Sequence, residues 1–91
     1  MASKMFEEIA AAVEAHGEAG PEGELMSLMR SLDAQHIAMP DGESDYDEFV
    51  IEQDHTTITL IHRWFPDGEG DMERSYTLVD EATGDEREWV F

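Results

Sequence analysis

The apolar positions in the first third of the chain recur at helical spacing. Two helices are predicted there, over about residues 3–16 and 22–36. Ser3 is a typical N-cap for the first helix, Gly17 suits its end, and Pro21 suits the start of the second. The apolar stripes are Met5, Phe6, Ile9 and Val13 in the first helix and Leu25, Leu28, Met29 and Leu32 in the second, which His36 or Ile37 extends.

After residue 44 the pattern changes to that of strands. Strands are predicted at about 46–53, 56–65, 72–80 and 87–91, separated by short segments with the Gly, Pro and Asp of hairpin turns. Consecutive hairpins favour an antiparallel meander with both helices on one face. The predicted fold is therefore a single α+β domain over residues 1–91, in which two N-terminal helices pack on a three- to four-stranded antiparallel sheet (α-α-β-β-β-β).

The strand at 56–65 carries apolar residues on both of its sides. Ile58, Leu60 and Trp64 share one side, whereas Ile61 and Phe65 share the other. A sheet that helices cover on one face only is expected to be more polar on its second face. Two interpretations stay open: a partner or a second copy of the chain, forming a homodimer, covers this face, or it exposes a few apolar side chains, as most protein surfaces do.

The net charge constrains the function of the chain more than any sequence motif does. The 91 residues include 23 Asp and Glu against 5 Lys and Arg, which gives a net charge of −18. Such a surface repels nucleic acids and anionic membranes and attracts basic protein surfaces. The chain contains no Cys and no apolar run of transmembrane length, and acidic residues interrupt the apolar patch at its N-terminus. We expect a cytoplasmic protein, in the host cell if a phage encodes it.

The stretch DGESDYDEFVIEQD, residues 41–54, carries seven carboxylates and no Lys or Arg. Its acidic residues repeat the ligand spacing of an EF-hand, but the position that needs Gly for the sharp turn is Tyr46. A strand rather than a second helix is predicted to follow. This pattern therefore disfavours a calcium loop, and we expect no metal or other cofactor.

Histidines and nucleophiles give no catalytic pattern. The four His form no HExxH motif, and His62 has the strand parity of a hydrogen-bonded core residue rather than a ligand. The serines lie in no GxSxG context, and no phosphate-binding loop with a trailing Lys is present. We expect a binding protein and no enzyme.

Rows of carboxylates at strand spacing suit a groove lined with Lys and Arg, with Tyr46, Phe49 or a surface-facing Trp64 as an apolar anchor. In size and charge the chain resembles small phage-type nucleic-acid mimics such as anti-CRISPR and anti-restriction proteins, and acidic antitoxins and immunity proteins. This resemblance, which includes no shared motif, implies an inhibitor that blocks the nucleic-acid-binding surface of a basic partner protein without binding nucleic acid itself. The predicted contact residues are Asp41, Glu43, Asp45, Tyr46, Asp47, Glu48, Phe49, Glu52, Asp54, Glu69, Asp71 and Glu73.

A rival interpretation also fits the composition. Proteins of halophiles carry a similar excess of Asp and Glu, because net charge keeps them soluble at high salt. In that case residues 41–54 are a solvated loop and strand, and the acidity says nothing about a partner. The uneven distribution favours a contact surface, since residues 55–65 contain no acid at all.

Overall fold

The computed structural model describes residues 3–39, 44–53 and 55–91. Its elements follow the order α-α-β-β-β-β-β. The helices are α1 (Lys4–His16) and α2 (Glu24–Ser31), joined by a segment that includes a 3₁₀ turn at Gly17–Ala19. The strands are β1 (Gln35–Ala38), β2 (Asp45–Gln53), β3 (Thr56–Pro66), β4 (Met72–Asp80) and β5 (Glu86–Val90). The α+β class is confirmed, with one strand more than the sequence predicts.

Helix α1 begins where the sequence predicts. Ser3 has extended backbone angles, and its Oγ accepts a hydrogen bond from the Phe6 N–H at 3.2 Å, which satisfies one of the free donors of the first turn. Gly17 follows the helix as predicted, although its φ of −61° is helical. The reason for Gly here is space, because a Cβ at this position would lie 2.9 Å from the Phe91 ring.

Helix α2 is shorter than the predicted range of 22–36. It starts at Glu24, after Gly23 at φ 74°, so Pro21 precedes the helix instead of opening it. At its end Asp33 takes the left-handed conformation, with φ 57°. The Asp33 N–H then bonds to the Arg30 carbonyl and the Ala34 N–H to the Met29 carbonyl, at 3.1 and 3.0 Å, which is the Schellman pattern that terminates helices.

This early termination releases residues 35–38 to form a strand. β1 pairs antiparallel with β2 and places His36 opposite Phe49 and Ile37 opposite Glu48. His36 and Ile37 are therefore strand residues, and the prediction that one of them extends the helix is wrong. A helical pattern and a short strand are hard to distinguish over four residues, and Asp rather than Gly occupies the left-handed position, which removed the usual stop signal.

The sheet is an antiparallel meander with the strand order β1-β2-β3-β4-β5. The predicted strands 46–53, 56–65, 72–80 and 87–91 agree with β2 to β5 to within one residue at each end. Residues 54 and 55 connect β2 to β3, and His55 adopts φ 65°, as the tight turn requires. Residue 54 lies outside the described residues.

The core lies between the helices and one face of the sheet. α1 contributes Phe6, Ile9, Ala10 and Val13, and α2 contributes Leu25 and Met29. The facing strand positions are occupied by Phe49, Ile51, Ile58, Leu60, Tyr76 and Leu78, which are fully buried. The side chains of the opposite strand parity, such as Val50, Ile61 and Val79, are only half-buried, so neither described helix covers that second face. Neither helix has the length and apolar character that crossing a bilayer requires.

We expect Asp33→Gly to stabilise the protein, because Gly adopts a positive φ without steric cost and the change removes a negative charge from the end of α2. Urea denaturation measures the effect, expected at about 0.5–1 kcal/mol. Asp33→Ala is the matched control, since it removes the same charge but keeps a Cβ at φ 57°. Equal stability of the Gly and Ala variants would contradict the backbone explanation.

Candidate functional site

A cavity of about 380 Å³ opens on the helix-covered side of the sheet, beside the segment that joins the two helices. β2 begins and β3 ends at this part of the sheet, since Asp45 pairs with Trp64. Residues 19–22 of the helix connection and Met26 of α2 form the opposite wall. The polar side chains that line the strand side are His36, Asp45, Asp47, His62 and Arg74.

Asp47 is the centre of a hydrogen-bond network beside this cavity. Its Oδ1 accepts from His36 Nε2 at 2.8 Å and its Oδ2 from His62 Nδ1 at 3.0 Å. The register explains the meeting, because Asp47 lies opposite His62 on β3 and opposite Ala38 on β1, next to His36 on the same face. Only 16% of the Asp47 side chain is exposed. The carboxylate thus links three neighbouring strands.

The partners of His62 define its protonation state. Arg74 Nε donates to His62 Nε2 at 3.0 Å, so this nitrogen carries a lone pair and Nδ1 carries the proton that Asp47 accepts. Burial lowers the pKa of His62 below the ordinary 6.5, and the Arg74 charge acts in the same direction, against the opposing effect of Asp47. His62 is 2% exposed and neutral near pH 7, which confirms the expectation of a hydrogen-bonded core histidine.

Arg74 extends the network to the helix connection. Its Nη1 donates to the Glu18 carbonyl, and its guanidinium lies 5.8 Å from the centre of the Trp64 ring. Beside it, the Tyr76 hydroxyl donates to the Gly17 carbonyl at 2.8 Å, and burial raises the pKa of Tyr76 to about 12. These two bonds tie the end of α1 to β4, so the polar network positions the helix layer on the sheet.

The chemistry of this network is mainly structural. Both ring nitrogens of His62 are hydrogen-bonded, which leaves no lone pair for a metal or a substrate proton. His36 stacks on Phe49 with ring centres 4.4 Å apart, and its Nε2 is hydrogen-bonded to Asp47. Within residues 3–39, 44–53 and 55–91, no group of three His, Asp or Glu side chains is arranged to hold a metal ion.

The structure separates the predicted contact residues. Along β2 the pleat alternates, so Asp45, Asp47 and Phe49 face the helices, whereas Tyr46, Glu48 and Glu52 face away from them. Glu73 shares the second face, and Glu69 and Asp71 lie in the exposed β3–β4 turn near Asp45. Asp41, Glu43 and Asp54 are outside the described residues. The predicted set is therefore not one continuous surface.

Phe49 and Asp47 require corrections. Phe49 is fully buried in the core, so its side chain cannot anchor a partner. Asp47 directs its carboxylate to two histidines inside the fold, so it is not a free surface charge. Both outcomes have one cause: Asp47 and Phe49 share the strand parity of Ile51, which the structure places on the core side of the sheet.

The strand parity opposite to the core defines a second surface, which we call the open face. Its central positions are Val50, Thr59 and Val79 in one row across the sheet and Glu48, Ile61 and Thr77 in the next. Ile37 on β1 and Glu86, Glu88 and Val90 on β5 complete its two edges. Glu86 and Glu88 were missed by the sequence prediction, because only the pairing of β5 with β4 brings them beside the central strands.

Comparison of the chain with protein-family models, with curated proteins and with solved structures gives no significant match. Its function therefore has to be argued from the arrangement of its own residues.

We expect Asp47→Ala to destabilise the fold by about 1–3 kcal/mol, because it leaves the buried His62 N–H without an acceptor. Asp45→Ala is the matched control: it removes the same charge two residues earlier on the same face, where the side chain is exposed, and it should change stability by less than about 0.5 kcal/mol. Urea denaturation of the two variants measures the difference. Equal losses would show that the network does not stabilise the fold.

We also expect a pH dependence that originates at His62. Because its pKa is lowered in the folded state, its contribution to stability is complete above the unfolded pKa of 6.5 and is lost as the pH falls from there toward the folded pKa. Urea denaturation between about pH 7.5 and 5.5 should show wild type losing stability relative to His62→Gln, which bonds Asp47 and Arg74 without titrating.

The difference between wild type and His62→Gln removes the part of the pH dependence that the two proteins share. His55→Asn is the control for loss of an imidazole, at an exposed turn position with a positive φ that Asn tolerates. A difference between wild type and His62→Gln that does not change with pH would contradict the assignment.

Proposed function

We propose that the protein is a non-enzymatic acidic binding protein that occupies the nucleic-acid-binding surface of a basic partner protein. The proposal rests on the density of negative charge along the long axis of the domain. The domain measures 42 × 22 × 20 Å and carries a net charge of −18. That is one charge per about 2.3 Å of the long axis, against about one per 1.7 Å of duplex DNA.

Weak internal neutralisation supports the proposal. Among the described residues, Arg87 and Glu7 form the one pair of an Arg or Lys with a carboxylate within 4 Å, at 3.4 Å. Arg74 is directed to His62 and the Glu18 carbonyl, and Arg63 lies over the Tyr46 ring. Most described carboxylates are therefore solvated and can interact with an external cationic surface.

Electrostatics then gives the mechanism of inhibition. Electrostatic potentials of opposite sign accelerate the association of two proteins, and this acceleration falls as the ionic strength rises. Charges at the rim of an interface act mainly on the association rate. A groove of Lys and Arg that normally follows a phosphate backbone meets a comparable density of negative charge on this domain. Occupation of that groove by a folded protein excludes nucleic acid sterically as well as electrostatically.

The test is capture from a cell lysate with the tagged chain, followed by purification of the retained proteins. We expect nucleic-acid-binding proteins, displaced by a short DNA duplex but not by an uncharged peptide-backbone oligomer of the same base sequence. Their affinity should fall by about tenfold or more between 50 and 200 mM salt. Retention of proteins without a basic face only, or of none, would overturn the proposal.

The halophilic interpretation makes a different prediction for the free protein. If the acidity serves only solubility at high salt, the domain should unfold when salt is lowered to tens of millimolar, where self-repulsion is least screened. Circular dichroism across the same salt range measures this. A fold that persists at low salt together with salt-sensitive partner binding supports the inhibitor.

A further inference from the structure

The open face carries apolar side chains although neither described helix covers it. Val50, Ile61 and Val79 lie at its middle and are half-buried. Ile37 and Val90, at its opposite edges, are 37% and 58% exposed. No described helix packs here, so the three central side chains and Thr59 form a short strip across β2, β3 and β4, which we call the apolar strip, while Ile37 and Val90 lie beyond it on the edge strands. Apolar strips bounded by polar residues are typical of protein-binding surfaces.

Carboxylates surround this strip. Glu52 lies toward one end of the sheet and Glu73 toward the other, Glu86 and Glu88 line the β5 edge, and Glu48 lies beside Ile37. The described cation on this face is Arg63, which stacks over Tyr46. An apolar centre with a charged rim is the usual layout of a protein interface, and here the rim is almost entirely negative.

The dimensions of the open face also suit a protein partner. Five strands spaced about 4.8 Å apart, with lengths from four to eleven residues, give roughly 600 Å² of sheet surface. Each partner in a standard interface contributes about 800 Å². The face with its rim side chains is thus close to the area that a stable complex needs.

The charge of the open face distinguishes between its two candidate occupants, a second copy of the chain and a basic partner protein. A second copy of the chain would bring five carboxylates and one guanidinium against the same set, and like charges at an interface are unfavourable. A surface with Lys and Arg around an apolar centre complements the rim and the strip together. Resting on the proposed function, we infer that the open face is the surface that docks on the basic partner, with the apolar strip between Ile37 and Val90 as its centre.

Thr59 allows a direct test. It lies between Val50 and Val79 at the middle of the strip, so Thr59→Arg places bulk and positive charge where the basic partner must dock. The matched control is Ala11→Arg, which adds the same side chain on the exposed side of α1. The probe is the purified nucleic-acid-binding protein that wild type retains. Thr59→Arg should weaken its binding about tenfold or more, and Ala11→Arg about twofold or less.

Each other outcome has a definite meaning. If the retained protein binds Thr59→Arg and wild type equally, the docking surface is wrong and the proposed function stands. If wild type retains no nucleic-acid-binding protein, the proposed function itself fails. If light scattering shows a wild-type dimer that Thr59→Arg dissociates, a second copy occupies the face and the inference is overturned. Thr77→Arg, beside Ile61, replaces Thr59→Arg if circular dichroism shows that the latter does not fold.

Discussion

The carboxylate of Asp47 is the interaction on which the arrangement of the layers depends. It accepts hydrogen bonds from histidines on both neighbouring strands, and His62 in turn accepts from Arg74, which reaches the Glu18 carbonyl after α1. A buried polar group is costly unless all its hydrogen bonds are formed, so each member of this chain requires the others. The network therefore fixes the register of β1 to β4 and the position of the helix connection with directional bonds. Hydrophobic packing alone would specify both less sharply.

Packing supplies what the network does not. The helices bury one stripe each against Phe49, Leu60 and Leu78, and this single layer is the core of a small domain. Repulsion among the charges of the chain, whose net charge is −18, opposes this packing and destabilises the folded state. Asp47 shows how the fold limits this cost, since its largely buried carboxylate accepts hydrogen bonds from two imidazole donors.

Strand alternation divides the acidic stretch between the two faces of the sheet. Residues of the acidic stretch lie on both faces of the sheet, because successive residues of a strand point to opposite faces. Tyr46, Glu48 and Glu52 join the open face, whereas Asp45 faces the cavity and Phe49 the core. Carboxylates from β4 and β5, remote in sequence, complete the rim. The proposed contact surface is therefore a property of the sheet and not of one segment.

The sequence by itself determined the class of the fold, both helices, four of the five strands and the core parity of Leu60 and His62. These follow from local periodicity, capping and turn residues, which act over a few positions. It also determined the net charge of −18. Only the tertiary structure decided that Asp33 ends α2 early enough for β1 to form, that Arg74 meets His62, and that Glu86 and Glu88 share one face of the sheet with Glu48. Those relations join residues far apart in the chain, and their energies depend on burial and register, which no local pattern contains.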